Sequence, residues 1–92
     1  MTTVEITPHL YRYFPQLKNR TIRAPAGSVA QILRAVDEIA PGFKDYLLDD
    51  QGRLRRHVHI SINDTLVVDR KTLSDRVPDG GTLYIFQALS GG

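Results

Sequence analysis

Ser28-Val29-Ala30-Gln31-Ile32-Leu33-Arg34-Ala35-Val36-Asp37-Glu38-Ile39-Ala40-Pro41-Gly42 is the one stretch of this 92-residue sequence with sustained helical periodicity. Val29, Ile32, Leu33, Val36, Ile39 and Ala40 fall on a single face at a repeat of about 3.6 residues. Ser28 supplies the hydroxyl that satisfies free amides of a first turn, and Gln31 stands where a capping box needs it. Pro41-Gly42 ends the helix, since proline cannot continue the ladder and glycine accepts the reversed backbone angle that follows. Phe43-Lys44-Asp45-Tyr46-Leu47-Leu48 adds a short turn that sets Phe43 and Leu47 or Leu48 on the core.

Every other ordered segment has the period of a strand. Upstream, Val4-Glu5-Ile6-Thr7 alternates apolar and polar and is bounded by Pro8. Asn19-Arg20-Thr21-Ile22-Arg23-Ala24 reads as a second strand, stopped by Pro25 and Gly27 and joined to the first by a long hairpin loop through Tyr11-Arg12-Tyr13-Phe14-Pro15. Downstream, after a turn at Asp49-Asp50-Gln51-Gly52, Val58, Ile60 and Ile62 alternate with His57, His59 and Ser61. Asn63-Asp64 turns into a short strand, Leu66-Val67-Val68, and Pro78-Asp79-Gly80-Gly81 turns into a last strand, Thr82 to Gln87. Strand, strand, helix, strand, short strand, strand is an α+β order in which one helix crosses one face of a mixed sheet. That architecture is the β-grasp.

The length allows one core, so the expectation is a single domain over residues 1–92 with a flexible tail over 88–92. Hydrophobic residues at 41% and charged residues at 24% match an ordinary globular chain and not a disordered one. The apolar runs are too short to span a bilayer, and no basic-then-apolar leader opens the sequence, so a cytoplasmic protein is expected. Absence of cysteine excludes disulfides, thiolate metal sites and a cysteine nucleophile. A net charge of +2 is too small to indicate nucleic acid as a partner.

Alternation also assigns faces. With Val58, Ile60 and Ile62 turned to the helix, His57, His59 and Ser61 face away; with Leu83 and Ile85 inward, Tyr84 and Phe86 face out. One helix cannot cover both sides of a sheet, so these two aromatics form an apolar patch of the kind that docks a partner, unless the Tyr11 to Phe14 loop covers them.

The last residues, Gln87-Ala88-Leu89-Ser90-Gly91-Gly92, place a diglycine three residues beyond the final strand. Two glycines without side chains fit a channel that excludes any other dipeptide. The α-carboxylate of Gly92 is ionised at neutral pH. A carboxylate can attack the α-phosphorus of ATP to give an acyl-adenylate open to a sulfur or nitrogen nucleophile. No G-x-x-x-x-G-K-[ST] loop is present to hold ATP, so the adenylating machinery is expected on another protein.

Thr82-Leu83-Tyr84-Ile85-Phe86-Gln87-Ala88-Leu89-Ser90-Gly91-Gly92 resembles the last strand and tail of the MoaD/ThiS family of ubiquitin-like sulfur carriers. Val77-Pro78-Asp79-Gly80-Gly81-Thr82 is similar to that family's turn into the last strand, with Gly81 where an acidic residue is usual. The segment Leu47 to Asp64, containing Gly52-Arg53-Leu54-Arg55-Arg56-His57-Val58-His59-Ile60-Ser61-Ile62-Asn63, resembles the longer members, such as the carrier serving a cysteine synthase. The resemblance implies a protein cosubstrate with no bound cofactor and no catalytic residue of its own. An E1-like adenylyltransferase would spend ATP on the Gly92 carboxylate, a sulfur donor such as a sulfurtransferase would convert it to a thiocarboxylate, and a biosynthetic enzyme would take the sulfur. It further implies that Leu89, Ser90 and Gly91 are the tail that partners hold, with Leu89 as its apolar anchor, and that Tyr84 and Phe86 lie near the partner surface. Gln87-Ala88 stands where many molybdopterin-type members carry a Pro-rich pair, which points away from that pathway.

Two readings compete. A ubiquitin-like modifier would use the same acyl-adenylate to join Gly92 to lysines of target proteins, and a non-covalent binding module would leave the tail idle. His57 and His59, about 7 Å apart on one strand face, are too few for zinc, which takes three or four protein ligands. A polar strand face is the better reading of that pair. Arg53, Arg55 and Arg56 form a basic cluster that reads first as a solvated loop and, functionally, as a patch that could steer the chain toward an acidic partner surface. His57, His59, Arg55 and Arg56 are therefore counted with Tyr84 and Phe86 as candidate docking residues. Nucleophile elbows and H-E-x-x-H are absent, and so short a chain has little concavity from which to exclude water.

Overall fold

The computed structural model describes residues 1–87; the tail expected over residues 88–92 lies outside the described residues. Within that range the chain forms β1 (Thr2–Ile6), β2 (Ile22–Ala24), β3 (Gly27–Ser28), α1 (Val29–Ile39), α2 (Phe43–Leu47), β4 (Val58–Ile62), β5 (Thr65–Leu66), β6 (Arg76–Val77) and β7 (Thr82–Gln87). Single 3-10 turns at Pro8–Arg12 and Pro15–Leu17 fill the loop after β1. Five strands make one sheet in the order β2-β1-β7-β4-β5, and β3 pairs with β6 in a separate ribbon. β1 and β7 run parallel at the centre, from Thr3 opposite Thr82 to Ile6 opposite Ile85, while the other pairs are antiparallel. This is the expected β-grasp.

The helix forms as its pattern dictates. Ser28 Oγ accepts the Gln31 amide at 3.2 Å, and Gln31 Oε1 reaches back to the Ser28 amide at 2.9 Å. The two preceding first-turn amides find partners far along the chain: Val29 N donates to the Asp75 carbonyl and Ala30 N to the Leu73 carbonyl. All three are therefore satisfied by a cap and one loop. Val29, Ile32, Leu33 and Val36 are buried. Gly42 takes φ 95° just past the end of the helix.

Val4, Ile6, Ile22, Ala24, Val58, Ile60, Leu83 and Ile85 supply the sheet side of the same core. Phe43 and Leu47 are both fully buried, as the short second turn requires. Phe14 meets Phe43 edge-on, ring centroids 5.2 Å apart, and Tyr46 at 5.7 Å. Such contacts fix the long loop against α2 and add about 0.5–1.5 kcal/mol each beyond area burial.

Three strand boundaries differ from the sequence reading, the first being β1, which spans Thr2–Ile6 and not Val4 to Thr7. β2 begins at Ile22 and not at Asn19, because Asn19 sits at φ 60° and turns the chain there. The strand expected at Leu66-Val67-Val68 is Thr65–Leu66; Val67 turns inward to donate to the Ile60 carbonyl, and Val68 is exposed. The Tyr11 to Phe14 segment packs toward α2, with Phe14 buried and the Tyr13 ring tilted against Tyr46 at 5.1 Å, so it leaves Tyr84 and Phe86 exposed, as strand parity expects.

Candidate functional site

Residues of alternating parity on β7 divide as the pattern demands: Leu83 and Ile85 are buried, and Tyr84 and Phe86 are each 40% exposed on the opposite face. Register sets Glu5, Tyr84, Ser61 and Leu66 in one rank across β1, β7, β4 and β5. One step along, His59 lies opposite Phe86, with ring centroids 5.5 Å apart and planes within 28°. A shallow groove of about 260 Å³ runs between β1 and β7, lined by Glu5, Thr7, Tyr84 and Phe86. The face is an aromatic stripe with a polar edge, which suits protein docking better than chemistry.

β7 ends at Gln87, and the side chains around it were not foreseen. Gln87 Oε1 accepts from the Tyr46 hydroxyl at 3.4 Å and lies 3.3 Å from His9 Nε2. His9 Nδ1 is buried without a hydrogen-bond partner among the described residues. His9 is 78 positions from Gln87 in sequence and Tyr46 is 41, so no local pattern links them. Pro8 was the available signal for His9, since proline favours the first position of a short helical turn.

The other predicted site residues separate. His57 lies in the turn before β4 and not on its face, so the pairing of His57 with His59 on one strand is corrected. Arg55 is committed to structure: Nε donates to the Tyr46 carbonyl at 3.1 Å, and the guanidinium also reaches the Asp45 carbonyl at 3.3 Å. Arg56 instead lines a cavity with Arg53, Arg70 and Lys71. Asp49, on the same cavity, is held below the usual carboxylate range, first by the Arg53 amide and also by the Gln51 amide and the Arg53 guanidinium. Leu89, Ser90, Gly91 and Gly92 lie outside the described residues. Among the described residues no three His, Cys, Asp or Glu side chains gather as a metal would require, and no helix is long and apolar enough to cross a membrane.

Parallel β1 and β7 at the centre and one helix crossing one face of the sheet define a ubiquitin-like β-grasp fold. No family model matches the chain, and no curated protein matches it by sequence. Its likeness is to solved structures. It is similar over its full length, at 27% identity and a TM-score of 0.83, to CysO in the BexX/CysO complex of Amycolatopsis orientalis, 100% of that chain being covered. CysO of Mycobacterium tuberculosis, an antigen, shares the fold at 24% identity and a TM-score of 0.81, with 97% of this chain and 100% of that one covered. SAMP1 of Haloferax volcanii shares it at 21% identity and a TM-score of 0.77, with 99% and 98% covered.

Proposed function

We propose that the chain is a sulfur carrier whose C-terminal carboxylate, on Gly92, is activated by a separate E1-like adenylyltransferase. The observation that carries this reading is the place of β7. It is a central strand, it bears Tyr84 and Phe86 on the open face, and the sequence continues from it directly into Ala88-Leu89-Ser90-Gly91-Gly92. A partner gripping that face is therefore held beside the start of the tail. The carboxylate oxygen attacks the α-phosphorus of ATP and pyrophosphate leaves. Sulfide from a separate donor then displaces AMP and leaves a thiocarboxylate for a downstream biosynthetic enzyme. Where the donor is a sulfurtransferase persulfide, its terminal sulfur displaces AMP to give an acyl disulfide. A thiol then cleaves that bond to the thiocarboxylate while being oxidised to a disulfide with the donor's sulfur. The likeness to CysO supports this carrier reading, and its solution in complex with BexX supports an acting partner beside the carrier.

Tyr84, Phe86 and His59 are the docking residues we assign, and the chain itself supplies no catalytic side chain. The test is ATP–pyrophosphate exchange by the adenylyltransferase from the same organism. Exchange should depend on this chain and vanish when Gly92 is deleted, with the melting temperature unchanged. Exchange that persists without Gly92 would overturn the reading.

A further inference from the structure

We propose that a cationic groove beside β4 and β5 is a docking site for an acidic segment of a partner protein that carries apolar side chains between its carboxylates. The groove holds about 660 Å³ between the loop before β4 and the hairpin of β4 and β5. Buried Leu54, Ile60 and Val67 make its floor, and exposed Arg56 and Lys71 stand at its rim. Leu66, 58% exposed, extends the apolar surface to one side. This assignment does not depend on whether Gly92 carries sulfur.

The charges decide what can bind. Arg53 is offset by Asp49, 3.4 Å away. Arg70 is not offset: its guanidinium donates to the carbonyls of Arg55 at 2.7 Å and Val58 at 2.8 Å, two neutral acceptors that fix it in place with its charge intact. Among the described residues no carboxylate pairs with Arg56, Arg70 or Lys71. The nearby carboxylates of Asp69 and Asp75 are turned to their own loop, accepting the amides of Lys71, Thr72, Val68 and Asp69. Three cations around an apolar floor match a ligand that is anionic and hydrophobic at once.

An extended peptide meets that demand, because its side chains alternate between two sides. One set can rest on Leu54 and Val67 while the other reaches the arginines and Lys71. A free phosphate would gain nothing from the apolar floor. Single-stranded nucleic acid needs flat aromatic platforms, and the one ring on this groove, His59, is already stacked on Phe86. Sequence adjacency had grouped Arg53, Arg55 and Arg56. Folding removes Arg55 from that group and brings in Arg70 and Lys71.

The experiment is an NMR titration of the isotope-labelled full chain with a short synthetic peptide alternating glutamate with leucine, and with a twin alternating glutamate with glycine. The leucine peptide should shift the amides of Arg56, Ile60, Val67 and Lys71, bind about tenfold more tightly than the glycine twin, and weaken as salt is raised. Reversing two exposed charges together, Arg56→Glu and Lys71→Glu, should reduce its affinity at least about tenfold while leaving the rest of the spectrum intact. Equal binding of the two peptides, no binding of either, or shifts centred elsewhere would overturn the assignment. So would tighter binding of inorganic phosphate or of a thymidine oligonucleotide at the same residues.

Discussion

Phe86 and Phe43 separate function from stability at the level of single side chains. Phe86 is 40% exposed and its one aromatic partner is His59, so Phe86→Ala should cost the fold no more than about 1 kcal/mol. If the open face docks the activating partner, the same change should weaken binding by about 2 kcal/mol, roughly thirtyfold. Phe43 is fully buried, and Phe43→Ala should cost about 3–5 kcal/mol of stability. Thermal melts and titration calorimetry on the two variants check the contrast; a large stability loss in Phe86→Ala with binding unchanged would reverse the assigned roles. The facing of Tyr84 and Phe86 was legible because strand parity is a local rule. Gly81 gained its reason only from the fold: a Cβ there would stand 2.9 Å from the Pro78 carbonyl oxygen. An acidic residue, usual in the family this chain resembles, does not fit this turn unless the backbone shifts.

At the scale of elements, the loop from Val68 to Asp75 does for α1 what no residue within the helix can do. Its carbonyls at Leu73 and Asp75 take the first two helix amides, and Leu73 holds φ 55° although it is buried. Asp69 organises that loop. Its carboxylate accepts from the Ser74 and Thr72 hydroxyls and from the Thr72 amide, which hold it far below its ordinary 3.8. A depressed folded-state pKa adds stability that is present above the unfolded value and is lost as pH falls through the folded one. Asp69→Asn should therefore melt lower than the parent at neutral pH, with the gap narrowing as pH falls below 3.8. A gap that stays constant down to strongly acid pH would contradict this. The helix and its capping box could be read from periodicity, whereas β3 and β6 could not. Each is two residues long and is defined by pairing Gly27 with Val77 and Ser28 with Arg76, across about fifty residues of chain.

For the whole molecule, the topology gathers what sequence had scattered. A parallel β1 and β7 bring the start of the chain beside its last strand, so His9 and Tyr46 meet Gln87 just before the tail. The same folding assembles Arg56, Arg70 and Lys71 around one groove. Both arrangements were illegible beforehand because long-range contacts leave no periodic trace. The open face and the groove share His59, which lines one and stacks in the other, so a single partner could engage both. In the proposed function, such a partner acts upon the carboxylate of Gly92. Intact mass spectrometry of the chain purified from its native host tests that directly. The account predicts a fraction heavier by the difference between one sulfur and one oxygen atom, localised to Gly92 by fragmentation. Covalent conjugates of higher mass with no such fraction would contradict it in favour of a modifier, and an unaltered carboxylate with no conjugates would contradict both.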